Sequence, residues 1–183
     1  MNIYILRHAS AGVRRPNPIL DKKRPLDKEG KSHCLHLAHI LNAMKVQFDL
    51  IVSSPLKRCM QTASLVGTEM GYEAKILGSA ALAPDATFAQ FQKLLKECAE
   101  FENLLLVGHN PNLTGFVGSL LVPPAFSPDG KGGMPLVRLR KGSLARLNYT
   151  RGPATLQWLL EPRTVRALYA TSTAKSRSKT SRK

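Results

Sequence analysis

The segment YILRHASAG, residues 4–12, passes from three apolar side chains directly into Arg7 and His8 and then into small residues. A short apolar run of this kind predicts a buried β-strand, here the first of the chain. The small side chains from Ala9 to Gly12 leave the two basic residues uncovered. The segment therefore predicts a strand that delivers Arg7 and His8 to an open loop at its carboxyl end.

Two later segments repeat this order of an apolar run, polar residues and a proline. They are LIVSSPLKR (residues 50–58) and LLLVGHNPN (residues 104–112). Ser54 and Asn110 are favoured N-cap residues, and the prolines that follow them fit a first helical position. Each junction is then expected to direct free backbone N–H groups and the positive end of a helix out of the sheet edge, which makes it a site for an anion.

Apolar runs and segments of helical period alternate along the chain, which predicts an α/β sheet with helices on its faces. The predicted strands span residues 3–6, 50–53, 104–107, 144–149 and 156–160, with a weaker one near 75–77. The predicted helices span residues 27–45, 55–70, 86–98 and 111–121, and residues 122–134 are expected to form a loop. A short Arg-Gly-Pro turn joins the last two strands, so we expect an antiparallel pair at the end of a mostly parallel sheet.

The chain has 183 residues and a formal net charge of +15, which fits one domain and an acidic or phosphorylated partner. Residues 171–183 hold five cations, no anion and no apolar residue beyond one alanine. We therefore expect a domain at residues 1–170 and a disordered basic tail at residues 171–183. The tail is either a solvated segment that aids solubility or a weak, non-specific contact for nucleic-acid phosphates.

Several other classes of protein are not favoured by the sequence. No apolar run approaches the roughly 18 residues of a membrane span, and the amino terminus does not resemble a signal peptide, so a cytoplasmic protein is expected. The three cysteines lack C-x-x-C spacing, which argues against a disulfide framework or a cysteine-rich metal site. His33 and His39 lie about 120° apart around their predicted helix, so with His36 they predict a solvated or partly buried helix face and no metal site.

Four basic side chains are expected to meet at one edge of the sheet. Ligands of open α/β sheets bind at the carboxyl ends of the strands, where the three junctions bring Arg7, His8, Arg58 and His109. Arg58 is the informative residue, because a cation in the first turn of a helix opposes the helix dipole by about 0.3 to 1 kcal/mol. A bound dianion would reverse the sign of that effect, so the position of Arg58 favours an anionic ligand.

Two guanidinium and two imidazole groups at one anion site suit a phosphoryl group. Arginine offers paired donors that match phosphate oxygens and stays charged at any physiological pH. A neutral histidine has a lone-pair nitrogen that attacks phosphorus, while a carbonyl fixes its other N–H. An isolated Arg-His pair, a GHN triplet or a single arginine is usually incidental, so the prediction rests on their conjunction at three strand ends.

Four segments together resemble the histidine phosphatase superfamily: RHASA (7–11), RPLDKEG (24–30), SSPLKRCMQTA (53–63) and LLLVGHNPNL (104–113). The short length and the RPL…G segment are similar to its SixA-type phosphohistidine phosphatases, over about residues 1–162. The resemblance implies a phosphoglycerate-mutase-like fold, a three-layer α/β/α sandwich, with no metal and no organic cofactor. It also implies that His8 is the nucleophile that becomes phosphorylated, and that Arg7, Arg58 and His109 hold and neutralise the transferring phosphoryl group.

Four further residues belong to the predicted site or its surroundings. Arg24 is expected either to contact phosphate or to anchor its loop, and Asn110 is a candidate for substrate binding. Asp27 stands where SixA-type sequences commonly have threonine; it fits the N-cap of the first predicted helix and adds negative charge if it faces the pocket. Asp85 is the only acid near the place where larger superfamily members carry a proton donor, and it equally fits a helix N-cap. No general acid is therefore assigned.

We predict a phosphatase that hydrolyses phosphohistidine on a protein through a phosphorylated His8. The departing imidazole nitrogen has a pKa of about 6.5, so its departure depends less on protonation by an acid than that of an alkoxide does. One alternative is a phosphatase of small phosphomonoesters such as a sugar phosphate or a nucleotide. Another is a non-catalytic module that binds nucleic acid or acidic partners through its tail. The protein is expected to be a monomer without membrane association.

Overall fold

A six-stranded sheet forms the centre of the computed structural model, which describes residues 1–122, 136–150 and 152–180. The strands are β1 (Asn2–Arg7), β2 (Leu50–Ser53), β3 (Leu77–Gly78), β4 (Asn103–Gly108), β5 (Leu144–Asn148) and β6 (Thr155–Leu160). Their order across the sheet is β3-β2-β4-β1-β5-β6. The pairs β2–β3, β2–β4 and β1–β4 are parallel, whereas β1–β5 and β5–β6 are antiparallel. The predicted sheet, mostly parallel with an antiparallel end, is confirmed.

Helices cover both faces of this sheet. They are α1 (Pro18–Lys22), α2 (Lys28–Ala43), α3 (Lys57–Glu69), α4 (Phe88–Glu97), α5 (Asn112–Leu121) and α6 (Pro162–Thr180), with a short 3₁₀ helix at Ala80–Leu82. Along β1, Ile3 and Ile5 pack in the core with residues of α4 and α5, whereas Tyr4 and Leu6 pack with residues of α2, α3 and α6. This alternation follows from the two-residue period of a strand. The predicted three-layer α/β/α sandwich is therefore confirmed.

Two helix starts show how short polar side chains set a boundary. Asp27 caps α2 as predicted, and its Oδ1 accepts a hydrogen bond from the Gly30 N–H at 2.7 Å. Of the two alternatives left open for Asp85, the N-cap is excluded, because α4 begins after Thr87. Thr87 and Gln90 form a reciprocal capping box that satisfies two backbone donors. Asp85 lies in an exposed turn just before it.

The helix starts at the two proline junctions also differ from the prediction. α3 begins after Leu56 and α5 after Pro111, and neither helix has a side-chain cap. Ser54 lies two residues before the N-cap position of α3, and its N–H continues the sheet by bonding to the Val107 carbonyl at 2.8 Å. Asn110 lies one residue before the N-cap position of α5, and its side-chain amide donates to the Leu139 carbonyl at 2.9 Å. Both side chains instead bond to groups near the sheet edge, Ser54 to His109 and Asn110 to Leu139.

The carboxyl-terminal segment differs most from the prediction. The expected disordered tail begins at residue 171, but α6 continues through Thr180. The helix docks on α2 through the buried Val165 and through Tyr169, whose ring stacks on His36 at 3.9 Å between centroids. Once a helix is anchored, each added residue gains one hydrogen bond, so a polar sequence continues it at little cost. The amino-acid composition alone does not reveal this contact between α6 and α2.

Parts of two predictions lie outside the described residues. The predicted loop at 122–134 falls there apart from Val122, as do residues 181–183 of the predicted tail. Within the described part of the chain, no helix is both long and apolar enough to cross a membrane.

Gly30 lets the start of α2 pack directly on the loop that follows β1. A Cβ atom at this position would overlap the Ser10 carbonyl oxygen. That carbonyl also accepts a hydrogen bond from the Asp27 N–H at 3.2 Å, so loop and helix are held together at this point. The close approach leaves no room for a side chain larger than hydrogen.

We expect Gly30→Ala to lower the free energy of unfolding by about 3 kcal/mol, because overpacking against backbone forces the loop and helix apart. For a domain of this size that corresponds to a Tm lower by about 6 to 12 °C. Gly115→Ala in α5 is the matched control, since a Cβ there meets nothing within 4 Å and alanine favours a helix. Thermal unfolding measured by circular dichroism distinguishes them, and an equal Tm for the two variants would contradict the close packing.

Candidate active site

The carboxyl ends of β1, β2 and β4 bring the predicted side chains together. Arg7 ends β1 and pairs in register with Gly108 at the end of β4, so His8 and His109 follow adjacent strand ends. Their rings lie 5.1 Å apart between centroids. Arg58, in the first turn of α3 after β2, reaches His109 with a guanidinium nitrogen at 3.3 Å. The expected convergence of these four residues is present in the structure.

The ring of His8 is held in one tautomer. Its Nδ1 lies 2.8 Å from the Ala9 carbonyl oxygen, and because a carbonyl only accepts, Nδ1 carries the proton. Nε2 then keeps its lone pair. The side chain is buried, and the loop is fixed by a hydrogen bond from the Ala9 N–H to the Thr62 hydroxyl at 3.2 Å. His8 therefore presents an oriented, unprotonated nitrogen.

His109 is held from two sides. Arg58 Nη2 donates to its Nδ1 at 3.3 Å, so that nitrogen is the acceptor. Its Nε2–H donates to the Ser54 hydroxyl at 2.9 Å, and the Cys59 sulfur lies 3.2 Å from the same nitrogen. The imidazole of His109 is thus neutral and rigidly placed against its neighbour His8.

Burial and positive neighbours keep both imidazoles neutral. Desolvation lowers the pKa of His8 to about 4, the Arg58 and Arg7 charges add to the lowering, and the bond to the Ala9 carbonyl opposes it. Desolvation also lowers the pKa of His109 to about 3, with further lowering by His8 and Arg58. At neutral pH the site therefore carries positive charge on its arginines and lone pairs on its histidines.

The two arginines are held by acceptors from different segments of the chain. Arg7 Nη1 donates to the Leu139 carbonyl at 2.9 Å, and its Nε is buried without a partner. Arg58 Nη1 donates to the Asp21 backbone carbonyl at 3.1 Å and lies 3.5 Å from the Asp21 carboxylate. The Nε of Arg58 is likewise buried without a partner. Unsatisfied buried donors of this kind favour the binding of an anion.

Arg24 and Asn110, both expected at the site, hold backbone carbonyls around it. Arg24 Nη1 donates to the carbonyls of Ala11 and Gly12 at 2.7 and 3.0 Å, so it anchors the loop that follows His8. Asn110 donates to the same Leu139 carbonyl that Arg7 contacts, at 2.9 Å. Its Oδ1 is buried without a partner.

The two candidate acids lie in different surroundings. The Asp27 carboxylate accepts hydrogen bonds from the Ser10 hydroxyl at 2.6 Å and from the Gly12 N–H at 2.8 Å. The Asp27 carboxylate is thereby bound by hydrogen-bond donors of the loop that follows β1. Asp85 is exposed in a turn. The Asn112 side chain, at the start of α5, donates a hydrogen bond to the Ala86 carbonyl at 2.8 Å and so holds this turn. Neither Asp27 nor Asp85 is placed in a way that identifies it as a proton donor.

Three groups at the site were not predicted from the sequence. Asp21 contacts Arg58 and Arg24 from α1, a helix that buries no residue and so leaves no periodic apolar signal. The Leu139 carbonyl lies in a segment without a motif. Ser54 lies in one of the predicted junctions. The sequence predicted it as a helix N-cap, whereas in the structure its hydroxyl is the hydrogen-bond partner of His109.

The other histidines and the cysteines have packing roles in the structure. His33 Nε2 donates to the Gly142 carbonyl at 2.8 Å, and His36 and His39 both contact the ring of Tyr169. All three cysteines are buried free thiols. Over residues 1–122, 136–150 and 152–180, no group of three or more histidine, cysteine or acidic side chains is arranged to hold a metal ion.

We expect the free energy of unfolding to fall as the pH drops from about 6.5 toward 4. Unfolded imidazoles take up protons in this range, whereas His8 and His109 stay neutral in the folded protein with pKa values of about 4 and about 3. The unfolded state then binds more protons, so acid favours it; above the ordinary pKa of 6.5 neither state is charged and the effect vanishes. Urea unfolding at pH 7.5, 6 and 5 measures the loss. The His8→Asn/His109→Asn variant should lose less free energy of unfolding over this pH range than the wild type. An equal loss would contradict the assignment of His8 and His109 as neutral in the folded protein.

Comparisons with known proteins give both a family and a fold. The family model of the histidine phosphatase superfamily (branch 1) matches residues 3–80. An uncharacterized protein of Picosynechococcus sp. (strain ATCC 27264 / PCC 7002 / PR-6) is 34% identical over 116 residues, which are 62% of this chain and 68% of that protein. The structure of the protein histidine phosphatase SixA complexed with tungstate is similar with a TM-score of 0.77 at 21% identity, over 90% of this chain and 99% of that chain. The alpha-ribazole phosphatase from Shigella flexneri has a TM-score of 0.68 at 19% identity, over 88% and 97% of the two chains.

Proposed function

The chain belongs to the histidine phosphatase superfamily, and we propose that it hydrolyses phosphohistidine on a protein through a covalent intermediate on His8. The observation that carries this proposal is the hydrogen bond from His8 Nδ1 to the Ala9 carbonyl at 2.8 Å. It fixes the proton on one ring nitrogen and leaves Nε2 as the nucleophile. The pKa of about 4 keeps that nitrogen unprotonated at neutral pH.

The proposed reaction has two in-line transfers. In the first, His8 Nε2 forms a bond to phosphorus while the bond from phosphorus to the substrate imidazole breaks. The electron pair of that bond goes to the leaving nitrogen, and a substrate ring protonated on its other nitrogen departs neutral. In the second, water attacks phosphorus, the bond to His8 breaks, and inorganic phosphate leaves with His8 restored.

We propose that Arg7, Arg58 and His109 stabilise the equatorial oxygens of the transferring group, and that His109 does so by turning the hydrogen bond of its Nε2–H from the Ser54 hydroxyl to a phosphoryl oxygen. Each arginine has a buried Nε–H without a partner, which a phosphoryl oxygen would satisfy. Donors that are already in place before the reaction lower its barrier without reorganisation. Arg24 and Asn110 then act as positioning residues, since they hold the backbone groups that frame the site.

The ease with which the leaving group departs supports phosphohistidine over a phosphate ester as the proposed substrate. An alkoxide leaving group requires a proton, whereas an imidazole leaves readily. Asp21 is a poor proton donor, because the hydrogen bond from the Arg15 N–H and the neighbouring Arg24 lower its pKa and keep it ionised. Asp85 is exposed in its turn.

We expect Asp21→Asn to tighten the binding of tungstate, a tetrahedral oxyanion like phosphate, by roughly two- to fivefold. The Asp21 carboxylate lies 3.5 Å from Arg58 Nη1 and repels an anion that binds the same guanidinium. Isothermal titration calorimetry measures the affinity. Glu97→Gln is the control, because it removes an equal charge from α4, where Glu97 pairs with Lys93. Weaker binding by Asp21→Asn would contradict the competition and assign Asp21 to positioning Arg58.

The second candidate function is the hydrolysis of small phosphomonoesters. It is favoured by the similarity of the fold to that of an alpha-ribazole phosphatase. The deciding experiment compares kcat/KM for a chemically phosphorylated phosphohistidine protein with that for a panel of sugar phosphates and nucleotides. Turnover of the small esters alone would overturn the phosphohistidine proposal, and an inert wild-type protein would favour a non-catalytic binding module.

We also propose that residues 1–170 carry this activity and that the basic residues 171–183 are an accessory segment. A protein truncated after residue 170 is then expected to keep its turnover. Filter binding to single-stranded RNA with both proteins tests whether the removed segment contacts phosphates. Loss of turnover together with correct folding would contradict this division.

A further inference from the structure

An apolar and basic surface borders the candidate active site, and we propose that it docks an acidic protein that carries the phosphoryl group. We call it the docking rim and define it as the exposed residues of segments 13–23 and 136–141. The inference rests on the proposed function, because it supplies the recognition of the partner that brings the phosphohistidine.

The first part of the docking rim exposes large apolar side chains. Val13 is 88% exposed, Ile19 is 67% exposed and Leu20 is 51% exposed. Ile19 and Leu20 belong to α1, which buries none of its residues. Ile19 and Leu20 are neighbours in the sequence, and exposed apolar side chains that lie together are typical of an interaction surface, whereas single ones are ordinary.

Polar bonds to the site hold α1 in place without covering these side chains. The Asn17 side chain caps the helix by accepting from the Ile19 N–H at 2.9 Å. Asp21, in its last turn, pairs with Arg24 at 2.9 Å and with Arg58 at 3.5 Å. The apolar side chains are therefore presented at a fixed position next to the catalytic guanidinium of Arg58.

The second part of the docking rim belongs to the segment that contacts Arg7. Leu136 is 58% exposed there. The segment is fixed to the site because the Leu139 carbonyl accepts from both Arg7 and Asn110. Lys141 is exposed and near enough to His8 to lower its pKa. The two parts are thus tied to different side chains of the site, the first to Arg58 and the second to Arg7.

The charge of the docking rim selects its partner. Its exposed cations are Arg14, Arg15, Lys22, Lys23, Arg138 and Lys141. The only acid in either segment is Asp21, which is already paired with arginines. A protein surface with acidic residues around an apolar patch complements this arrangement, and complementary charge speeds and orients docking. The interspersed Ile19 and Leu20 favour such a surface over nucleic acid, whose exposed backbone offers phosphates and no apolar patch.

The test compares one protein substrate with one small substrate that has the same bond to cleave. The protein probe is an acidic histidine-phosphotransfer domain phosphorylated with phosphoramidate, and the small probe is phosphoramidate itself. We expect Ile19→Ser/Leu20→Ser to lower kcat/KM for the protein by about tenfold or more and to leave turnover of phosphoramidate unchanged. Lys22→Ala/Lys23→Ala should lower kcat/KM for the protein and make it less sensitive to salt.

Matched variants elsewhere on the surface control for the loss of an apolar or a basic side chain. Leu168→Ser in α6 removes a leucine that is 43% exposed, and Lys93→Ala/Lys96→Ala removes two exposed lysines from α4. Neither should change turnover of either probe. Equal losses by the control and docking-rim variants would overturn the docking rim.

The remaining outcomes separate the docking rim from the proposed function. If the wild type cleaves phosphoramidate but not the phosphorylated domain, the proposed protein substrate fails, and the docking rim fails with it. If the wild type cleaves both and Ile19→Ser/Leu20→Ser cleaves both equally well, the docking rim alone fails. Inhibition by polyuridylate or phosphatidylglycerol vesicles that Lys22→Ala/Lys23→Ala relieves, with no effect of Ile19→Ser/Leu20→Ser on the protein, would assign the basic surface to those polyanions.

Discussion

His8→Ala is expected to lower phosphatase turnover by about 10⁴- to 10⁶-fold, the range over which removal of an enzyme nucleophile acts. His8 Nε2 has no substitute at the site. His109, the nearest imidazole, has its Nε2–H on the Ser54 hydroxyl and its Nδ1 on Arg58. Both nitrogens of His109 are thereby occupied, so it cannot take over the attack on phosphorus.

The covalent intermediate provides a second readout for the same variant. Wild-type protein mixed with a ³²P-phosphohistidine protein and quenched in base should carry label that is stable in alkali and lost in acid, as an N-phosphate is. His8→Ala should carry none, whereas His39→Ala, which removes an exposed histidine from α2, should be labelled like the wild type. Label on His8→Ala would exclude His8 as the nucleophile.

The convergence at the sheet edge could be predicted because it depends on two regular features. Strand periodicity locates the apolar runs, and parallel strands place their carboxyl ends at one edge. The register that sets Arg7 opposite Gly108 then brings His8 beside His109. Prediction of these positions required no knowledge of individual side-chain contacts.

The features that escaped prediction depend on contacts between distant segments. Asp21 lies 37 residues from Arg58 in sequence, and its helix α1 has no buried face to produce a periodic pattern. The Leu139 carbonyl is 132 residues from Arg7. The extent of α6 depends on Tyr169 docking against His36. Composition and spacing do not encode pairings of this kind.

The two proline junctions show how a local rule yields to tertiary structure. Ser54 and Asn110 have the side chains of N-caps, but a hydrogen bond from the Ser54 N–H to Val107 extends the sheet, and Asn110 bonds to Leu139. Helices α3 and α5 consequently begin without side-chain caps. The first N–H groups of an α-helix have no partner within the helix, so these uncapped helix starts are expected to offer donors to an anion.

Arg58→Ala is expected to lower kcat by about 10²- to 10³-fold, the cost of removing one pre-placed donor to the developing charge. Arg58 joins two parts of the site, since Nη1 contacts Asp21 and Nη2 contacts His109. Arg58→Lys keeps the charge but provides no planar pair of donors, so it should recover only part of the loss. Arg163→Ala, in the first turn of α6, is the control and should keep full turnover.

Chemical rescue separates the electrostatic role of Arg58 from a purely structural one. Guanidinium ion added to Arg58→Ala should restore part of the turnover, because it fits the space left by the side chain and offers the same planar donors to phosphate. It should not rescue His8→Ala, where the nucleophile itself is missing. If Arg58 served only to hold Asp21 and α1, free guanidinium would leave kcat unchanged, and the loss would follow the Tm of the variant. Restored kcat at an unchanged Tm would therefore assign the guanidinium to the transferring phosphoryl group.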